Sequence, residues 1–161
     1  MSRKGASVDA IERVYRERGS ALFRFANARL GDTELAREAV QEGFARALRG
    51  RDGFRGSGSL EGWITRCVLN AALDLAATPR AVQLPEEQAG AASSNGLPHP
   101  HVRKALRMLP PRQRDALFLR FYMDFDYAMI ADALAIEVGA VSATLHAGRE
   151  RLARALEEVA R

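Results

Sequence analysis

The side chains able to do chemistry are few and scattered along the 161 residues. There are three histidines, His99, His101 and His146, and one cysteine, Cys67, while carboxylates such as Glu61 and Asp74 stand singly. Covalent catalysis needs a nucleophile, a base and an orienting group within reach of one another. A metal needs clustered ligands. Neither spacing is present, so the sequence predicts no enzyme, no metal site and no cofactor. A lone cysteine also excludes an internal disulfide and fits a reducing cytoplasm.

The residues that remain suit binding. Glu38, Gln41 and Glu42, spaced three and four apart, share one face of a helix with Phe44 and Leu48 nearby, a pattern able to pair with arginines of a partner. The same pattern describes a solvated helix face. Downstream, GRDGFRGSGS (residues 50–59) holds four glycines in ten residues and cannot continue a helix. Such a loop either carries function or is a plain connector. Asn70, a poor helix former with no capping duty, is explained by a specific hydrogen bond, and Arg66 is a further polar candidate. Trp63 falls at a helical core position and reads first as a packing residue.

The elements that must position these groups are helices. Ile11, Val14, Leu22, Phe25 and Ala26 recur at helical spacing over residues 8–30. Gly31 stops that segment, Asp32 is placed to cap the next, and Leu35, Ala39, Val40, Phe44 and Leu48 mark a second buried stripe. Ser59 is placed to cap a third helix bearing Trp63, Ile64, Cys67, Val68, Ala71 and Leu75. Residues 78–100 lack apolar periodicity, concentrate Pro, Gly, Ser and Ala, and read as a linker that includes His99. Beyond it come a short helix with Val102, Ala105, Leu106 and Leu109, and a second one over residues 112–122 opened by Pro110 and Pro111. Asp126 is placed to cap a third carrying Ile130, Ala131 and Leu134, and a tight turn leads to a last helix with Val141, Leu145, Gly148, Leu152 and Leu156 on one face. Two helices joined in this way, with small Ala131 at their crossing, make a helix-turn-helix pattern. The expected fold is all-α: two small helical domains, residues 1–77 and 101–161, joined by a flexible linker.

Composition agrees with a folded binding protein. Hydrophobic residues make up 47% and charged residues 27%, and the formal charge is +4, carried mostly by arginine. The first 77 residues hold 13 basic against 10 acidic side chains and the rest 11 against 10. Any nucleic-acid contact therefore depends on local placement of arginines rather than a strong overall field. No apolar run approaches the length of a membrane span, and the start MSRKGASVD lacks the apolar core of a signal peptide, so a cytoplasmic protein without membrane insertion is expected.

The order of the pieces resembles the extracytoplasmic-function sigma factors of bacterial RNA polymerase. AREAVQEGFARALR (residues 36–49) is similar to that family's polymerase-docking helix, and FRGSGSLEGWITRCVLNAALD (54–74) to its promoter-melting loop and helix. LPPRQRDALFLRFYMDFDYAMIADAL (109–134) followed by VGAVSATLHAGRERL (138–152) is similar to its upstream-element reader. The resemblance implies that residues 1–77 form a sigma region 2 bundle and 101–161 a sigma region 4 helix-turn-helix. It implies core polymerase docking through Glu38, Gln41, Glu42, Phe44 and Leu48. Capture of an unstacked minus-ten base would involve Phe54, Arg55, Ser57, Ser59, Arg66 and Asn70. Contact with the minus-thirty-five element would fall to Arg112, Arg114, Ser142, Thr144, His146, Arg149 and Arg151. An anti-sigma partner is also implied.

The chain departs from that pattern where DNA would be read. Ser142, Ala143 and Thr144 stand where the family usually has basic and hydroxyl residues, and Ala147 replaces a usual Arg. Leu69, Leu75 and Ala77 stand where basic residues are common. Two other readings follow: a sigma-like regulator acting mainly through protein partners, or a stand-alone helix-turn-helix DNA-binding regulator.

Overall fold

The computed structural model describes residues 5–78 and 99–161. Nearly all of the expected linker, its residues 79–98, lies outside the described residues. Among the described residues seven α-helices and one short 3-10 turn form two compact units, and no strand occurs.

In the first unit α1 spans Val8–Leu30, α2 Thr33–Arg49 and α3 Leu60–Ala76, with a 3-10 turn at Arg51–Gly53 between α2 and α3. Each helix begins where a side chain can satisfy an orphan backbone N–H. Ser7 accepts from Ala10, Asp32 from Leu35 and Ser59 from Gly62, at 3.0–3.1 Å. Gly31 ends α1 in the left-handed region at φ 69°, which a side chain would make costly. The core is Ile11, Val14, Leu22, Phe25 and Ala26 from α1, Leu35, Ala36, Ala39, Val40, Phe44 and Ala47 from α2, and Ile64, Val68, Leu69, Ala71 and Ala72 from α3. Burying a side chain such as Leu22 fully contributes about 1.5–3 kcal/mol. Helices α2 and α3 approach closely at Gly43, where an added Cβ would sit 2.5 Å from Val68 Cγ2 and 2.6 Å from its Cα.

The second unit comprises α4 (Pro100–Arg107), α5 (Pro111–Phe121), α6 (Tyr127–Leu134) and α7 (Val138–Val159). His99 and His101, expected in the linker and just after it, flank the first turn of α4, their rings stacked at 6.3 Å. Prolines open α4 and α5, where a missing N–H costs nothing. Asp126 caps α6 by accepting from Met129 at 2.8 Å. Ala105, Leu109, Leu117, Leu119, Met123, Phe125, Ile130, Ala131, Val141 and Leu145 fill the core. Between α6 and α7 the chain bends by 92°. The corner passes through Ala135, held left-handed at φ 55°, ψ 45° without a glycine, and Asp124 on the other side of α6 is likewise left-handed at φ 58°. No single helix among the described residues is long and apolar enough to cross a membrane.

Candidate interaction surfaces

Helix α2 presents Glu38 and Gln41 on its exposed face and Glu42 at its half-exposed flank. The helix can do this because its other side is an alanine-rich seam against α1 and α3. Phe44, expected among the partner-binding side chains, is 6% exposed. It packs edge-on against Tyr15 of α1, ring centroids 5.0 Å apart, so it supports the face rather than forming it. Leu48, expected in the buried stripe as well as in the contact set, is 37% exposed and takes part only in the surface.

Glu42 is not a free carboxylate. Its Oε1 accepts from Nε of Arg46 and from Arg49, each at 3.0 Å, and Arg46 also reaches Asp74 of α3 at 2.8 Å. The hydrogen bonds from Arg46 and then Arg49 hold the Glu42 carboxyl below its ordinary pKa, and Glu42 and Asp74 raise that of Arg46. The sequence reading missed this cluster. Its i,i+4 half, Glu42 with Arg46, is visible in the spacing; the reach to Asp74 depends on how α2 lies across α3.

The glycine-rich segment is supported at several points. Gly53 and Phe54 donate backbone N–H groups to Gly50 and Arg51, closing the 3-10 turn. Phe54 is half-buried against Trp63 of α3, rings 5.3 Å apart and tilted 45°, while Ser59 is occupied as the α3 cap. Between them Arg55, Gly56, Ser57 and Gly58 are exposed, Gly56 in the left-handed region at φ 68°. On α3, Arg66 and Asn70 are exposed, so the structure brings Arg55, Ser57, Arg66 and Asn70 to the surface of one loop-helix unit. Trp63 is half-buried and serves both packing and the loop. Leu69, one of the apolar replacements read as thinning a basic surface, is 8% exposed and belongs to the core; Leu75 is half-buried. Burial pushes the Cys67 thiol pKa up, which disfavours the thiolate.

In the second unit the exposed side of early α7 carries Val138, Gly139, Ala140, Ser142, Ala143 and His146, and no Lys or Arg precedes Arg149 on this helix. Thr144 is half-buried and donates its hydroxyl to the Ala140 carbonyl at 2.8 Å, which leaves less of it for a partner. His146 lies 3.3 Å from Glu150. Arg149 is exposed but rests over the Phe121 ring, 4.9 Å from its centroid, and Phe121 is itself 61% exposed. Arg112 and Arg151 are exposed and Arg114 is half-buried. Among the described residues no group of three or more His, Cys, Asp or Glu side chains is placed to hold a metal ion.

Two family models match in tandem: Sigma-70 region 2 over residues 14–80 and Sigma-70 region 4 over 101–152. The chain is 28% identical over 152 residues to the RNA polymerase sigma-E factor of Streptomyces avermitilis, covering 91% of this chain and 85% of that one. It is 25% identical to the RNA polymerase sigma factor YlaC of Bacillus subtilis, covering 89% and 90%. Among solved structures, CnrH in complex with the cytosolic domain of CnrY shares the fold with a TM-score of 0.71 at 23% identity, covering 95% of this chain and 91% of that one. So does RpoE in complex with the anti-sigma factor NepR from Bartonella quintana, at a TM-score of 0.70 and 23% identity, covering 93% and 98%.

Proposed function

We propose, from the premise that this chain belongs to the sigma-70 family in its extracytoplasmic-function group, that it binds core RNA polymerase and directs it to initiate at particular promoters. The observation that carries this reading is the tandem match of regions 2 and 4, in that order, on the units that hold the docking helix and the helix-turn-helix. The protein acts by binding and positioning, without covalent chemistry of its own, and works where the polymerase is, in the cytoplasm.

Residues 1–77 dock and open, and 101–161 position upstream DNA. Glu38, Gln41 and Glu42 with exposed Leu48 meet the polymerase, a polar rim around one apolar contact. Arg55, Ser57, Arg66 and Asn70, with Phe54 and Trp63 behind them, receive the opened minus-ten strand. There, stacking and hydrogen bonds to the extruded base offset a few kcal/mol of unstacking. Arg112, Arg149 and Arg151 hold phosphates of the upstream element, and Ser142 and His146 face the base edges. An anti-sigma factor, such as accompanies the RpoE relative, covers these surfaces when the protein is held inactive.

Reconstitution tests the proposal. Free protein should bind duplex DNA feebly; mixed with core polymerase it should form a stable holoenzyme and give run-off transcripts from members of a randomised promoter pool. No association with core enzyme would sink the reading. Association without transcripts would favour the regulator that works through protein contacts, a second reading supported by the absence of cations along early α7. Tight duplex binding without polymerase, steeply salt-dependent, would instead mark a stand-alone regulator.

A further inference from the structure

The loop between α2 and α3 has two roots. The one at α3 is fixed by the Ser59 cap and by Phe54 lying on Trp63. The root at α2, besides the turn's own hydrogen bonds, is held from outside the loop. The backbone N–H of Ala6 donates to the Arg51 carbonyl at 2.9 Å, at the first residue of the 3-10 turn. Gly5 passes so close to that turn that an added Cβ would stand 2.1 Å from the same oxygen and 2.5 Å from Asp52 Cα. Ala6 is buried, and Ser7 follows at once as the cap of α1, so the crossing segment is anchored on its own far side.

A loop that traps an extruded base must be ordered to do so. If its roots are fixed when the chain folds, that conformational entropy is not lost again at the moment of capture. The exposed tip, Arg55 to Gly58, is then the part left to adapt. We propose that Gly5 and Ala6 form a strap that fixes the root of the strand-capturing loop, which makes them positioning residues for promoter opening. This rests on the reading of the chain as a sigma factor. Gly5 is required there by its lack of a side chain, and Ala6 by its backbone donor.

Gly5→Val forces the strap off the turn, and Ala6→Pro removes the donor while also fixing φ at residue 6 and restricting Gly5. Holoenzyme carrying either variant is compared with wild type on the template that wild-type holoenzyme transcribes best from a randomised promoter pool, with 2-aminopurine at the minus-ten element reporting opening. Both variants should bind core polymerase within about twofold of wild type and open the duplex about tenfold more slowly, a barrier change of one decade in rate. A template already unpaired at the minus-ten element should recover most of that deficit. Wild-type opening of the duplex by either variant would overturn the strap. So would a parallel loss of core binding, because a merely structural contact predicts that pattern. Should Gly5→Val fail to fold, Ala6→Pro decides alone. If wild-type protein forms no holoenzyme, the sigma reading fails first and the strap falls with it.

Discussion

In the α1–α3 unit, surface charges are tied across helices: Arg18 of α1 to Glu61 of α3 at 3.1 Å, and Arg46 of α2 to both Glu42 on its own helix and Asp74 on α3. In the α4–α7 unit three surface groups are held differently. Arg149 lies over Phe121, Arg120 over Tyr127, and His146 meets Glu150 one turn on. Exposed ion pairs contribute only about 0–1 kcal/mol each to stability. Such contacts therefore matter for geometry: the ties between α2 and α3 fix the direction of their charged groups, whereas early α7 offers a face with no Lys or Arg before Arg149.

The strongest way to break this contrast is to reverse the charge at its centre. Glu42→Arg should weaken core polymerase binding by about 100-fold or more, since it places a third cation beside Arg46 and Arg49 and repels a basic partner face. Pull-down and anisotropy with labelled protein would measure this; binding within a few-fold of wild type would remove Glu42 from the docking surface. Conversely, Ser142→Arg should give early α7 the cation it lacks. One bidentate contact to guanine is worth about 1–3 kcal/mol, so affinity for an upstream element with a suitably placed G·C pair should rise roughly tenfold. No gain on any member of a randomised duplex pool would mean that α7 does not present this face to base edges.

Smaller effects sharpen the picture. Arg149→Ala should weaken duplex binding by the holoenzyme alike across sequences and lower the magnitude of the salt slope by about one, the signature of a lost phosphate contact. A sequence-dependent loss would make Arg149 a reader rather than a holder. Least in size is the titration of Glu42. Its folded pKa is depressed by Arg46 and Arg49 from the ordinary 4.5, so the stabilisation from this cluster is present above that ordinary value and is lost as pH falls through the lower folded one. Carbon-13 NMR of the Glu42 carboxyl should give a midpoint below 4.5 that moves upward in Arg46→Met. An unmoved midpoint would show that the arginine does not hold this carboxylate.

Much of this molecule was legible in the sequence because its signals are local. Asp32, Ser59 and Asp126 cap helices as expected, and Gly31 stops one, since a cap or a left-handed stop involves only residues within a turn. Val141 and Leu145 face inward as the periodicity required. What escaped is set by how one helix rotates against another. Phe44 and Leu48 are one helical turn apart on one nominal stripe, yet Tyr15 covers only the first. Leu69 read as a surface replacement, but it faces into the core of the α1–α3 unit. The tie from Arg46 to Asp74 and the crossing of Gly5 over Arg51 join segments far apart in sequence, and no spacing rule announces them.

The left-handed residues that bracket α6 bear on how the protein comes apart. Asp124 and Ala135 each hold a backbone conformation that costs a non-glycine residue on the order of 1 kcal/mol, and the eight-residue helix between them has little length over which to recover it. The right angle leading into α7 is thus maintained by the burial of Ile130, Ala131 and Leu134 rather than by any preference of the chain at its corners. On heating, α6 should let go before α2, and faster amide exchange in α6 than in α2 is the measurement that checks it. A warmed molecule would lose its helix-turn-helix corner while the α1–α3 bundle still kept its shape.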